Sequence, residues 1–241
     1  MAGMTDGRYP TALAAPSQQD PQAIQAAIDW VHGQLKPGQQ VLVWTPNRPA
    51  LMEHPDLVVF ARAHTSMTQK TRSNVRWSGG PMLAGWPDTD ALDELAEDRR
   101  VSALCVIPHG TLDEVAAWAA RTGAVRLGTA GSLPEVATLD PVVERGLEAL
   151  TGMVNHANNL AGALDKRDAV NVLMTLHHGG YPLDSAAVHS WVLAHGWPAR
   201  GARRLREMCD KLAAGRTLRA GAPSILGRDV LQQWQQSATL R

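Results

Sequence analysis

The chain has 241 residues, 44% of them hydrophobic, with 23 Lys plus Arg against 23 Asp plus Glu. That length suits one large domain or two small ones, and the apolar share excludes a globally disordered chain. Balanced charge excludes a partner selected by net charge alone, although the middle (Asp88 to Glu114) is acidic and the end (Arg200 to Arg241) is basic.

Residues 1–20 are small, polar and broken by Pro10 and Pro16, and they read as a flexible arm. Pro21 opens a helix with Ile24, Ala27, Ile28, Val31 and Leu35 at helical spacing. Val41–Trp44 reads as a buried strand. It runs into the rigid loop Thr45-Pro46-Asn47-Arg48-Pro49, and Pro55 then starts a second helix. Residues 64–74 read as an exposed loop. Val75–Trp77 and Met82–Trp86 read as extended segments around Ser78-Gly79-Gly80-Pro81, either a hairpin or one bent strand. Asp88 or Thr89 caps a helix carrying Leu92 and Leu95. Ala103–Ile107 is a second buried strand. Thr111 and Glu114 have the spacing of a capping box for a helix to about Arg121, and Ala124–Leu127 is a last strand. Alternating helices and strands predict a three-layer α/β domain over 21–130 with a mostly parallel sheet.

A linker over 131–139 leads to an all-helical domain, 140–241. Val143, Leu147, Leu150, Val154, Ala157, Ala161 and Leu164 share one near-heptad face, which predicts a long helix from Pro141 to Leu164 capped by Asp140. Its apolar stripe needs cover, from its own chain or from a homodimer. Asp165 caps a helix to His177, stopped by Gly179 and Gly180, and Asp184 caps the next. The turn His195-Gly196-Trp197-Pro198 then joins helices 185–194 and 199–214 in the outline of a helix-turn-helix, and a short helix with Trp234 closes the chain.

Function is less legible. The chain lacks G-x-G-x-x-G, G-x-x-x-x-G-K-S/T and G-x-S-x-G. Ligands of open parallel sheets bind beyond the carboxyl ends of the strands. That places Asn47 and His109 as candidate catalytic residues, with Arg48, Gly110 and Thr111 as candidate binders of an anion at a helix N-terminus. Gly128 to Ser132 would line the same edge. Ser78 to Pro81 reads as a plain turn rather than a phosphate loop. His177-His178 lacks a third metal ligand at helical spacing, so no metal is expected, and no cofactor. Eight tryptophans read mostly as core, with Trp77 and Trp197 nearest to basic residues. Arg200, Arg203, Arg204 and Lys211 give the helix over 199–214 a cationic side that can meet nucleic acid.

Cys105 and Cys209 form no Cys-x-x-Cys pair and read as reduced core thiols of a cytoplasmic protein. No early basic-plus-apolar leader and no apolar run near 18 residues are found, so neither secretion nor membrane spanning is expected. The leading expectation is a non-catalytic binding or regulatory protein whose helical domain contacts nucleic acid or a protein partner. The alternative is a small α/β enzyme with its pocket around Asn47 and His109.

Overall fold

The structure is a computed structural model and describes residues 8–18, 20–110, 112–128, 133, 137–221 and 224–240. It divides into two compact units, Met1–Glu135 and Val136–Arg241. The first holds a six-stranded sheet of β1 (Thr11–Ala14), β2 (Leu42–Thr45), β3 (Thr65–Thr68), β4 (Gly80–Gly85), β5 (Val101–Ile107) and β6 (Val125–Leu127). Every pairing is parallel, in the order β3-β2-β4-β5-β1-β6.

Side chains alternate across this sheet, and both faces are covered, which is why its inner strands read as continuous apolar runs. Leu13, Leu42, Trp44, Met82, Leu104 and Val106 pack with α4 (Thr89–Ala96) and α5 (Asp113–Thr122). Ala12, Ala14, Val43, Leu83, Cys105 and Ile107 pack with α1 (Ala23–Gly33) and α3 (Pro55–Ala63). Chain direction explains the split. A right-handed crossover puts helices of leftward connections on one face and those of rightward connections on the other. Local signals set the ends: the Asp88 carboxylate accepts from Ala91 N at 2.7 Å to cap α4, and Gly123 closes α5 at φ +63°.

Three expectations for this unit are corrected. The arm over 1–20 contains β1, whose residues are buried and paired on both sides by β5 and β6. Thr-Ala-Leu-Ala is too short and small to announce a strand by hydropathy. Within 64–74, Thr65–Thr68 is the edge strand β3, where only Met67 is buried and the polar composition hides the pairing. Val75–Trp77 is not a strand. Trp77 fills the core and donates its indole N–H to Gln40 O at 2.8 Å, and Gly79 and Gly80 (φ +117° and +147°) then turn the chain into β4. The capping-box residue Thr111 lies outside the described residues; Leu112, which precedes α5, gives no side-chain cap.

The second unit is helical, with α6 (Pro141–Met153), α7 (Ala163–His178), α8 (Ser185–Ala194), α9 (Ala199–Ala213) and α10 (Val230–Thr239). Asp140 caps α6 and Asp184 caps α8 as expected, each accepting a backbone N–H at 2.8 Å. The long helix to Leu164 is corrected, since α6 stops at Met153. Val154 is extended, His156–Asn158 forms a single 3-10 turn, and Asn159 and Leu160 take φ of +54° and +57°. Side chains out-compete the helical ladder here. Asn155 accepts from Ala157 N, while the Asp165 carboxylate accepts from Asn155 N at 2.8 Å and from the Asn158 amide. Asp165 therefore ties down the break from the first turn of α7 rather than capping that helix.

The apolar stripe of α6 finds its cover within its own unit. Val143, Leu147 and Leu150 are fully buried in the core of their own unit, where α6 packs on α7 and α10. Ala157 and Ala161 are exposed, as is Leu164 at 65%. The helix-turn-helix outline holds: Gly196 turns at φ +81°, and Val188 and Val192 share one core with Ala202, Leu205, Met208, Cys209 and Leu212. Among the described residues no helix is long and apolar enough to cross a membrane.

Candidate functional site

The connection leaving β2 runs to β3 on one side, and the connection leaving β4 runs to β5 on the other. Diverging connections leave a crevice at the carboxyl ends of these neighbouring strands, which is where open parallel sheets bind ligands. A cleft of about 330 Å³ occupies that place. Pro46, Asn47, Pro49, Ala50, Glu53 and His54 come from the β2 side, Trp86 from the end of β4, His109 from the end of β5 and Gln18 from the loop after β1. Strands β2 and β5 are not neighbours, since β4 lies between them, yet Asn47 and His109 share this rim.

Each side chain has a local reason for its position. The Thr45 hydroxyl donates to Asn47 O at 3.0 Å and fixes the turn out of β2. Asn47 Oδ1 accepts from Ala50 N at 2.9 Å, capping the short helix α2 (Arg48–Met52), so its amide N–H groups remain as donors. His54, the residue before α3, stacks on Trp86. Trp86 is 6% exposed and adopts φ +54°, a left-handed conformation that bulky residues rarely take. Its backbone N–H donates to Ile107 O at 2.7 Å and its indole N–H to Ser17 Oγ at 3.3 Å. Gln18 Oε1 accepts from Gly110 N at 3.3 Å, tying the loop after β1 to the turn that carries His109.

The other expected binders separate from this site. Arg48 is exposed and outside the cleft lining, Gly110 N is already taken by Gln18, and Thr111 lies outside the described residues. Gly128 approaches Asp20, and residues 129–132 lie outside the described residues. Among the described residues no Lys or Arg lines the cleft, and Glu53 does. Sequence reasoning missed Gln18, Glu53, His54 and Trp86. The loop after each parallel strand was the available signal, and it was hidden for Gln18 by the reading of an arm.

In the second unit the cationic row is only partly free. Arg200 and Lys211 are exposed. Arg204, though exposed, donates to Asn159 O at 2.7 Å and so ties α9 to the helix break, and Arg203 is half-buried. Trp77 and Trp197 are buried, which removes both from a base-stacking platform. Burial pushes the Cys105 thiol up and the Cys209 thiol up to about 12, so neither is a ready nucleophile. Among the described residues no group of three His, Cys, Asp or Glu side chains is placed to hold a metal.

A family described as a domain of unknown function (DUF1889) matches residues 139–235, which lie in the helical unit. A crystal structure of a protein from Salmonella typhimurium aligns over 42% of this chain and 99% of its own, with 19% identity and a TM-score of 0.36. No curated protein matches the chain.

Proposed function

We propose that the α/β unit is a small enzyme-like pocket that binds a neutral ligand rich in hydroxyl or carbonyl groups, with His109 as the proton-transfer group. The observation that carries this reading is Trp86, a buried aromatic residue in a left-handed conformation at the switch point of a parallel sheet. Such conformations persist where the surrounding structure over-determines them, and they cluster at ligand sites. The lining supports the ligand class. Asn47 and Gln18 offer amide donors, Glu53 accepts, and among the described residues no Lys or Arg lines the cleft to hold a phosphate. Histidine is the side chain suited to exchanging protons near neutral pH.

Titration with a panel of small polyols, sugars and amides, followed by tryptophan fluorescence and by NMR of the histidine rings, tests this. Compounds that bind should perturb His54 and His109 and lose affinity in Asn47→Ala, while His109→Ala should retain binding and lose turnover. Binding confined to anions, or no ligand perturbing either ring, overturns the reading.

A second reading concerns the helical unit, where exposed Arg200 and Lys211 on α9 support contact with nucleic acid or an acidic protein partner. Glu207 and Asp210 lie between them in the sequence and reduce the local charge. The two free cysteines fit a reducing compartment, which supports the cytoplasm.

A further inference from the structure

Away from the cleft, His32 near the end of α1 and His64 just after α3 bring their Nε2 atoms to 3.2 Å. Their ring centroids lie 5.4 Å apart. Two imidazole nitrogens bound to one tetrahedral ion at about 2.0–2.1 Å stand about 3.3 Å apart, so the spacing already matches a shared metal. We propose that His32 and His64 form a surface site for a borderline transition-metal ion such as Zn²⁺, Ni²⁺ or Cu²⁺.

Phe60 preorganises the pair, meeting His32 edge-on at 4.9 Å and His64 at 4.5 Å between ring centroids. With the aromatic ring fixed by burial at 7% exposure, neither imidazole has to be ordered afresh when an ion binds. His32 is exposed and His64 half-buried, so an ion reaches both from solvent. In the hydrogen-bonded pair one Nε2 carries the shared proton. Metal binding needs both rings in the Nδ1–H tautomer and turned outward from the N–N line, so that both Nε2 lone pairs face the ion. No net proton is lost when both rings begin neutral. Two protein ligands leave the remaining positions to water, and imidazole favours Cu²⁺ over Zn²⁺ in affinity.

Titration of the full chain with Zn²⁺, Ni²⁺ and Cu²⁺, read by calorimetry and by the histidine ring signals in NMR, tests the site. One ion per chain is expected, perturbing His32 and His64, with affinity falling in acid because protons compete with the ion for imidazole nitrogen. His32→Gln keeps an exposed polar side chain and should weaken binding by about tenfold or more, because one of two ligands is gone. His64→Gln should do the same, and His177→Gln with His178→Gln should leave the affinity unchanged. Circular dichroism confirms that each variant is folded. Failure of all three ions to perturb the two rings, or equal affinity in His32→Gln, overturns the site.

Discussion

His54 lies nearly flat on Trp86, with ring centroids 4.4 Å apart and planes 24° apart, while the Trp86 backbone is held at φ +54°. A side chain in the left-handed region costs roughly 1–2 kcal/mol. The Ile107 carbonyl and the buried indole hold it there. Trp86→Ala should therefore cost about 3–5 kcal/mol, the range for emptying a large aromatic site. Trp86→Gly should cost less than Trp86→Ala by about 1 kcal/mol, because glycine accepts this φ freely while alanine does not. Urea unfolding of both variants checks the order, and a glycine variant less stable than the alanine variant would show that the backbone is not strained.

His54→Ala removes the stack and opens one wall of the cleft. A loss of about 0.5–1.5 kcal/mol is expected, the range for an aromatic pair. The larger consequence should be for ligands, which would bind more weakly with little change in fold. Equal ligand affinity in the variant would place the bound molecule away from Trp86.

The first strand gives a sharper test of the sheet. Leu13 is fully buried on β1, between β5 and β6. Leu13→Ala should destabilise the α/β unit by about 2–5 kcal/mol. Removal of residues 1–20 should unfold it, because β5 and β6 would lose the strand that joins them. Proteolysis or hydrogen exchange of the truncated chain reads this directly; a truncated unit with native protection would restore the flexible arm.

The strand and the cleft show what was legible in the sequence. Val41–Trp44 and Ala103–Ile107 announced buried strands because their residues are bulky and continuous, and Asp88, Asp140, Asp184 and Gly123 announced helix ends because capping is local chemistry. Strand β1 gave no such signal, as its small residues gain their burial only from neighbours on both sides. The helix break was hidden for a different reason. The apolar stripe continues in phase through Ala157 and Ala161, while the deciding bonds from Asn155 and Asn158 to Asp165 are polar and off that stripe. Asn47 and His109 followed from the rule that ligands sit past strand ends. Trp86 and His54 did not, because their stack requires β2 beside β4, an adjacency set by tertiary crossovers.

Asp165 makes the helix break sensitive to acid. The Asn158 amide, and then the Asn155 N–H, hold its carboxyl below the usual carboxylate range. A lowered folded-state value means that its contribution is present above the unfolded value, about 3.9, and is lost as the pH falls through the folded one. Asp165→Ala should remove about 1–3 kcal/mol at neutral pH, since the Asn155 N–H and the Asn158 amide lose a charged acceptor. The variant should also lose part of the acid limb of the stability curve. Urea unfolding from neutral pH down to acid checks both, and an unchanged acid limb would assign that limb to other carboxylates.

Four cations of α9, Arg200, Arg203, Arg204 and Lys211, divide into two pairs by their contacts, which lets stability and binding be separated. Arg204 holds Asn159 O at 2.7 Å across the helix break, and Arg203 is half-buried. Arg203→Ala with Arg204→Ala should therefore destabilise the helical unit by about 1–3 kcal/mol, the range for breaking hydrogen bonds made by charged groups. Reduced nucleic-acid binding in that variant would report folding as much as contact. Arg200 and Lys211 are exposed, so Arg200→Ala with Lys211→Ala should change stability by less than about 0.5 kcal/mol. If α9 meets a polyanion, this second variant should weaken binding and lower the dependence of affinity on salt by about two phosphates' worth. Fluorescence polarisation with duplex and single-stranded probes across a salt series measures that slope. An unchanged slope, or no binding by the parent chain at low salt, would leave α9 as a packing helix whose cations are solvated or bonded to their own unit.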